Sequence, residues 1–451
     1  MRDIRLQDVV RSGLPAALEK GARLLDPACG VIKAIIPNTL EPGDPLIHAF
    51  GALTCRTERL NFNPMAHRMG GASVNSDAAL AATIGEAVER YCAAYYEPEE
   101  LVFAAYKEVE SDAVHPSRFG LFSERQYAKP GCLYKPFTTD SPITWTWGYS
   151  LQRQKPTLVP ASLTYLPFRI NHAHRETHLT YTTSTGLACG GTLEEAILSG
   201  ISEAVERDGV TSMWLTRMRA PHVDIDEASS LYETYKKAFA LTGLRYYIRD
   251  ATTDLGLPVF FALLVGNSNF GRMVNAGCQA ALSPSAAILK SLVEASQGRP
   301  YLRYAFQQNP KWECAPDFSN IRDFDDHARV YTKAPQIYGE LEFVTGPRPS
   351  KPLSAIPDLS TGSVRGDIEV YLSRLAQRDI DVIVVDLTTP DIESIGFKVV
   401  RVITPGLQLL HGDHLQPFLG CDRLYGLPKA MGHRKDLIKE EELNPFPHPL
   451  P

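Results

Sequence analysis

The sequence repeats one helical motif, and this repetition restricts the folds that the chain can adopt. Three segments share the pattern: DAALAATIGEAVERY at 77–91, EEAILSGISEAVERD at 194–208 and, more loosely, SAAILKSLVEASQGR at 285–299. The letters EAVER recur at an offset of 117 residues, and each copy follows a Gly-containing stretch. A solenoid repeats every ~20–50 residues, so these separations exclude that architecture. We predict duplicated strand–loop–helix units that pack around one centre.

The repeated glutamates form pairs on one face of each helix. Residues three apart are neighbours on a helix surface, and the pairs lie away from the aliphatic stripe of their own helix. The acidic positions are Glu86 and Glu89, Glu203 and Glu206, and Glu294, with Gln297 in the remaining place. One such stretch is typical of a solvated face, because Glu and Arg are good helix formers. Its repetition after a Gly-containing loop favours a shared carboxylate cluster.

Clustered carboxylates repel one another unless cations bridge them. Mg²⁺ prefers oxygen ligands and usually binds together with phosphates. Arg90 and Arg207 follow the paired glutamates and would supply positive charge to those phosphates. The Gly-containing stretches could place backbone amides near phosphate oxygens, and the chain has no GxxxxGK[ST] motif. The residues alone predict a Mg²⁺-dependent phosphate or nucleotide site of non-Walker type.

Composition restricts the class of protein further. Of 451 residues, 44% are hydrophobic and 22% charged, and the net charge of −6 argues against a generic nucleic-acid-binding surface. Eight cysteines without a CxxC pair argue against a disulfide scaffold or a zinc ribbon. The N-terminus lacks a signal-like apolar run, and no window reaches the ~18–20 apolar residues of a membrane span. We predict a cytoplasmic protein that binds neither nucleic acid nor membranes.

Helical and strand-like patterns are interleaved, so we predict an α/β fold (mixed α+β) with helices packed on mixed sheets. Helices are predicted at 77–95, 192–214 and 283–296. Strands are predicted at 143–147, 244–248, 258–265 and 379–387. The predicted domains are an N-terminal segment of short strands and loops (1–65), a main domain that carries the predicted nucleotide site (66–440) and a Pro-rich tail (441–451).

Several motifs together resemble the YcaO superfamily. They are MGGASVN with IGEAVERY, STGLACGGTLEEAILSGISEAVERDG, LKSLVEASQGR and VVDLTTPDIESIGFKVVRVITPGLQLL. The resemblance implies a YcaO-type fold that binds ATP and Mg²⁺ between carboxylate-bearing helices. It also implies phosphorylation of a backbone amide oxygen in a peptide. In the cyclodehydratases of the family, a Cys, Ser or Thr side chain then closes a thiazoline or oxazoline ring.

The resemblance also assigns roles to residues. Positions similar to the family's Mg²⁺ ligands are Glu86, Glu89, Glu203, Glu206 and Glu294. Positions predicted to bind the nucleotide are Arg90, Glu195, Arg207 and Lys290, the last of which replaces a common arginine. The chain departs from the family pattern at Met69-Gly70-Gly71 (usually Gly-Lys-Gly), Ala82 (usually Ser) and Gly191 (usually Asn). These departures affect the expected nucleotide contacts and leave the carboxylates intact.

The C-terminal sequence is PFPHPLP, in which alternate residues from Pro445 onward are proline. An isolated Pro-rich end is typical of an exposed polyproline II tail that contributes little core burial and is either flexible or docked on another protein. In the resembled family this ending is associated with azoline formation, and the tail enters the catalytic region. We therefore predict Pro447, Pro449 and Pro451 as catalytic positions, with the terminal carboxylate as general base.

The predicted function is that of an ATP- and Mg²⁺-dependent cyclodehydratase subunit acting on a ribosomal precursor peptide. The alternatives are a YcaO enzyme that makes thioamides or amidines, and a non-catalytic scaffold subunit. The expected partners are an E1-like leader-peptide-binding protein, the precursor peptide, a flavin dehydrogenase and a second copy of the chain. The E1-like partner is expected because only about 65 residues precede the family region.

Three histidine-containing motifs are left outside this assignment. The segment 171–178 (NHAHRETH) is interpreted as a polar loop or substrate lip in preference to a metal site. In HGDH (411–414), a turn at Gly412 explains the sequence as well as a catalytic role does. Asp326-His327 is a weak candidate for substrate handling.

Overall fold

In a computed structural model, the structure describes residues 3–60, 63–65, 68–241 and 243–450. The strands are β1 (Ile32–Pro37), β2 (His48–Thr54), β3 (Arg68–Ser73), β4 (Val102–Ala105), β5 (Pro142–Ser150), β6 (Lys155–Pro160), β7 (Leu187–Gly190), β8 (His222–Asp224), β9 (Leu244–Asp250), β10 (Val259–Ser268), β11 (Gly271–Ala280), β12 (Ser350–Pro352), β13 (Ile383–Asp386) and β14 (Lys398–Ile403). The helices are α1 (Leu14–Ala22), α2 (Ser76–Ala93), α3 (Tyr106–Val109), α4 (Glu124–Tyr127), α5 (Leu193–Thr216), α6 (Tyr232–Ala238), α7 (Pro284–Gln308), α8 (Phe324–Lys333), α9 (Glu342–Thr345), α10 (Val364–Ala376), α11 (Pro390–Ile395) and α12 (Asp422–Ala430). Among these residues, no helix is both long enough and apolar enough to cross a membrane.

The strands form three sheets, and most of their pairs are antiparallel. The first sheet has the order β1-β2-β3, and the second has the order β11-β10-β9-β8-β12 with a parallel pair at β8 and β12. The third has the order β4-β5-β13-β14-β7, and β6 pairs with β5. Helices pack on these sheets, which confirms the predicted mixed α/β class.

The three repeated segments form a ring of strand–helix units. Each of the helices α2, α5 and α7 packs on the strand that precedes it, which is β3, β7 and β11 respectively. Each helix also contacts the strand of the next unit: α2 contacts β7, α5 contacts β11, and α7 contacts β3. The repeated helices therefore face a common centre, as the repetition predicts.

Local sequence explains where these helices begin and which faces they bury. Asn75 and Thr192 cap α2 and α5, because their side-chain oxygens accept hydrogen bonds from backbone amides of the first turn. The aliphatic stripe Ile197, Ile201 and Val205 is buried in the core. Glycines allow the helices of these units to approach their strands closely. At position 277, for example, a Cβ would overlap the backbone of α7.

Several element boundaries differ from the predictions. Helix α7 continues to Gln308 although Gly298 and Pro300 predict an earlier end, because the buried Leu302 and Phe306 hold its second half against the core. The strand predicted at 379–387 is shorter, since only β13 pairs with neighbours. The N-terminal segment contains helix α1, which was not predicted. Its strands β1 and β2 form one sheet with β3, so this segment is joined to the catalytic region by backbone pairing.

Candidate active site

Three glutamates occupy equivalent positions in the three units, and each is fixed in the same way. A backbone amide 16 or 17 residues earlier donates a hydrogen bond to the carboxylate. The donor and acceptor pairs are Gly70 N to Glu86 (2.8 Å), Gly186 N to Glu203 (3.2 Å) and Cys278 N to Glu294 (2.7 Å). A carboxylate that accepts a hydrogen bond from a backbone amide has a restricted orientation. The ring of units therefore contains three carboxylates whose remaining oxygens are oriented to act as metal ligands.

The second acidic positions complete the cluster. The Glu206 carboxylate is 5% exposed and accepts hydrogen bonds from Cys278 Sγ (3.2 Å) and Ala280 N (3.4 Å). Glu89 is 15% exposed and belongs to the same helix face as Glu86. In the third unit, Gln297 places its Nε2 against β3. The structure therefore brings all five predicted glutamates to one centre.

Burial and mutual repulsion make this cluster electrostatically unfavourable without a cation. Burial raises the pKa of Glu89 and of Glu206 to about 8, although the neighbouring arginines oppose the rise. The Glu203 carboxylate raises the pKa of both, which shows that the charges of the units act on one another. Burial also raises the pKa of Glu294. A bound divalent cation would remove the repulsion, and carboxylate oxygens are suitable ligands for Mg²⁺.

The predicted arginines lie beside these carboxylates. Arg90 lies 3.7 Å from oxygens of both Glu86 and Glu89, and Arg207 lies 3.6 Å from Glu203 and 3.2 Å from Glu206. The Nε atom of Arg207 is the one that lies 3.2 Å from Glu206, and although it is buried it makes no well-aligned hydrogen bond to any residue that the structure describes. That position suits a group that donates to an anionic ligand.

One basic residue of the site, Arg401 in β14, was missed by sequence reasoning. Its side chain is buried, and it donates hydrogen bonds from Nε to the Leu163 carbonyl (2.9 Å) and from Nη2 to the Thr183 carbonyl (2.6 Å). Its Nη1 has no hydrogen-bond partner among the described residues. Burial lowers the pKa of Arg401 to about 10, so the group stays charged at neutral pH, within the influence of Glu203 and Glu89. Only its place in the motif VVRVITPG could have indicated a role.

The other predicted nucleotide residues lie at the edge of the cluster. Glu195 lies in the first turn of α5, and its carboxylate accepts a hydrogen bond from the Ser12 backbone amide (2.7 Å). The Ser12 side chain also fills the space that a side chain at position 191 would need, which explains how the chain accommodates Gly191. Lys290 is exposed on α7 and lies within the field of Glu206 and Glu294.

The C-terminal tail is buried, so the expectation of an exposed tail with little core burial is wrong. Carbonyl groups of Phe446, Pro447 and His448 accept hydrogen bonds from buried side chains, and Leu450 is 1% exposed. The donors are Trp214 Nε1 (3.0 Å), Tyr331 Oη (2.8 Å) and His327 Nδ1 (2.9 Å). Pro447 and Pro449 are buried, whereas the predicted catalytic Pro451 lies outside the described residues. Through Trp214 the tail contacts α5, the helix that also carries Glu203 and Glu206.

An acidic cluster beside buried guanidinium groups is chemically suited to a magnesium–phosphate ligand. The family model described as "YcaO cyclodehydratase, ATP- and Mg²⁺-binding" matches residues 70–408. The chain therefore belongs to the YcaO family. This assignment confirms the predicted family, its fold class and its cofactors, ATP and Mg²⁺.

Individual relatives agree with this assignment. An uncharacterized protein of Methanothermobacter thermautotrophicus is 28% identical over 344 residues, which are 74% of this chain and 80% of that protein. A solved heterocyclase in complex with substrate and cofactor is 25% identical, with a TM-score of 0.80 over 100% of this chain. The chain spans 59% of that heterocyclase. The E. coli microcin synthetase McbBCD complex with pro-MccB17 bound contains a chain of the same fold, 16% identical with a TM-score of 0.54 over 88% of this chain and 91% of that one.

Proposed function

We propose that the chain is the ATP- and Mg²⁺-dependent cyclodehydratase subunit that converts Cys, Ser or Thr residues of a precursor peptide to azolines. The observation that carries this proposal is the ring of three amide-fixed glutamates, completed by Glu89 and Glu206. A scaffold subunit has no need of buried carboxylates whose pKa is raised, because they destabilise the metal-free fold. The matched family, described as cyclodehydratases, supports the reaction class.

The residues divide into two groups by chemistry. The glutamates of the three units would hold Mg²⁺, and the guanidinium groups of Arg90, Arg207 and Arg401 would hold phosphate oxygens. When bound, ATP supplies the phosphoryl group that activates an amide oxygen, and Mg²⁺ offsets the charge of its phosphates. Glu195 and Lys290 are proposed to line the nucleotide from the outer side of the cluster.

We also propose a catalytic role for the end of the tail. The three carbonyl acceptors at 446–448 fix the tail against α5 and α8, and they restrict where its last residues can lie. A terminal carboxylate delivered in this way can take the proton from the attacking side chain. The alternative, a tail that only docks a partner, predicts that this end tolerates extension.

The proposed partners are a leader-peptide-binding protein of E1-like type and the precursor peptide. The microcin synthetase, a complex that contains a chain of this fold and binds its pro-peptide, supports this proposal. A flavin dehydrogenase and a second copy of the chain are further proposed members of the complex.

The decisive experiment is mass spectrometry of a Cys- and Ser-rich candidate precursor after incubation with the chain, its partner and Mg-ATP. Each azoline removes the mass of one water and consumes one Cys, Ser or Thr side chain, and thiol alkylation detects the loss of Cys thiols. Thioamide formation would instead exchange oxygen for sulfur and require added sulfide. Water loss that is unchanged in Glu206→Gln would show that the acidic cluster is not the site.

A further inference from the structure

Three buried histidines from distant parts of the chain meet beside the tail. They are His327 in α8, His411 after β14, and His448 in the tail, with exposed fractions of 0%, 2% and 1%. One ring nitrogen of each lies within 4.8 Å of one ring nitrogen of both others. This histidine cluster contains residues of two motifs that the proposed reaction does not use.

Hydrogen bonds fix which ring nitrogens of His327 and His448 are free. His327 Nδ1 lies 2.9 Å from the carbonyl of His448, and His448 Nε2 lies 2.7 Å from the carbonyl of His411. Carbonyl oxygens only accept, so these nitrogens carry the protons, and in the neutral rings the other nitrogens hold lone pairs. The nitrogens His327 Nε2, His411 Nδ1 and His448 Nδ1 are buried without a hydrogen-bond partner in the part of the chain that the structure describes. Burial lowers the pKa of all three rings, so they are neutral at physiological pH.

Packing alone does not account for this arrangement. A buried histidine in a core normally has both ring nitrogens satisfied, since an unpartnered buried polar atom is destabilising. Here three adjacent rings each leave one nitrogen unpaired. Metal-binding histidines commonly donate their other N–H to a backbone carbonyl, as His327 and His448 do.

We propose that His327, His411 and His448 bind a transition-metal ion of the Zn²⁺ type, which fastens the C-terminal tail to α8 and to the loop after β14. Zn–N bonds of ~2.0–2.1 Å place tetrahedral ligands about 3.4 Å apart, so the cluster contracts on binding. Because the rings of His327 and His448 stack at 3.8 Å, binding requires rotations of these rings that keep their hydrogen bonds to the carbonyls and turn their free nitrogens toward the ion. A water molecule or His414, whose Nδ1 also lacks a partner among the described residues, completes the coordination.

This site goes beyond the proposed reaction and differs from the acidic cluster in chemistry. Imidazole nitrogens select ions such as Zn²⁺, whereas carboxylates select Mg²⁺. Metal content can therefore be measured whether or not the chain cyclises a peptide.

The test is Zn²⁺ titration of the full chain without an affinity tag, stripped with a chelator and saturated with Mg²⁺. We expect about one Zn²⁺ per chain and a tetrahedral absorption spectrum when Co²⁺ replaces it. His327→Gln and His411→Gln should weaken Zn²⁺ binding by at least about tenfold. The matched controls His172→Gln and His174→Gln, in the exposed loop, should bind as the wild type does.

A second readout reports on the tail itself. The only backbone amides from Pro445 to the end belong to Phe446, His448 and Leu450. Zn²⁺ should slow their hydrogen exchange by at least about tenfold. The proposal is overturned if the wild type binds no stoichiometric Zn²⁺, a result that does not depend on the folding of any variant. It is also overturned if Glu206→Gln, and not the histidine variants, loses the ion.

Discussion

Glu206→Gln should make the metal-free protein more stable while abolishing its Mg²⁺-dependent activity. Burial raises the pKa of Glu206 from its ordinary value of 4.5 to about 8, so the folded state holds a proton that the unfolded chain releases. The stability that this group contributes is fully present below about pH 4.5 and is lost as the pH rises toward 8. At pH 7 the loss approaches about 3 kcal/mol, at 1.36 kcal/mol for each pKa unit.

Glutamine has nearly the same shape and no charge to bury. Its Oε can still accept from Cys278 Sγ and Ala280 N. The pKa of about 8 already reflects the attraction of Arg207, so this attraction is not subtracted a second time. The variant should therefore gain up to about 3 kcal/mol in the free energy of unfolding at pH 7 in EDTA, and less at pH 5.5.

Urea denaturation at pH 5.5, 7 and 8 measures this gain, with EDTA or with Mg²⁺. The matched control is Glu369→Gln, an exposed helical glutamate paired with Arg365 at i−4, which should stay within about 0.5 kcal/mol of wild type. Mg²⁺ should stabilise the wild type and the control more than Glu206→Gln. A variant that is less stable than wild type at pH 8 in EDTA, yet gains equally from Mg²⁺, would refute the reasoning.

Three further predictions test the rest of the site. Glu89→Gln should abolish ATP turnover while leaving the circular dichroism spectrum unchanged; ADP release at the wild-type rate would contradict its role as a Mg²⁺ ligand. Arg401→Gln should raise the Kd for Mg-ATP at least about tenfold, measured by calorimetry, because it removes a charged donor to phosphate; unchanged affinity would limit Arg401 to supporting the loops it hydrogen-bonds. Two glycines added after Pro451 should abolish cyclisation without changing Tm, whereas deletion from Phe446 onward should lower Tm, since it leaves three buried donors without acceptors at about 1–3 kcal/mol each. Full activity of the extended chain would exclude a catalytic terminus.

The acidic cluster could be predicted from sequence because its information is local. Helical periodicity places Glu86 beside Glu89 and Glu203 beside Glu206, and repetition indicates that the units are equivalent. Nothing in that argument requires knowledge of the sheets. The same reasoning gave the buried stripe of α5 and the mixed α/β class, both of which the structure confirms.

Arg401 and the buried tail could not be predicted in this way, because their roles depend on distant contacts. Arg401 joins the site through carbonyls at positions 163 and 183, more than 200 residues away. The sequence of the tail is typical of an exposed polyproline segment. In the structure, however, the side chains of Trp214 and Tyr331 donate hydrogen bonds to its carbonyl groups, so the tail is buried although it belongs to no sheet or helix. The proline content shows that the tail cannot form a helix or a central strand. It does not reveal which buried side-chain donors elsewhere in the chain hydrogen-bond to the carbonyl groups of the tail.

The departure of the third unit from the repeat explains how a threefold frame can bind an asymmetric ligand. Where the first two units have arginine, the third has Gly298, and a Cβ there would overlap the side chain of Asn275 in β11. An arginine there would have to displace the buried Asn275 side chain, so the third unit has no guanidinium group at this position, and Gln297 stands in place of the sixth carboxylate. Arg90 and Arg207 therefore lie on the first two units, whereas the cation of the third unit is Lys290, at the edge of the cluster. We propose that this uneven distribution of positive charge orients the phosphates of an asymmetric ligand within the ring of carboxylates.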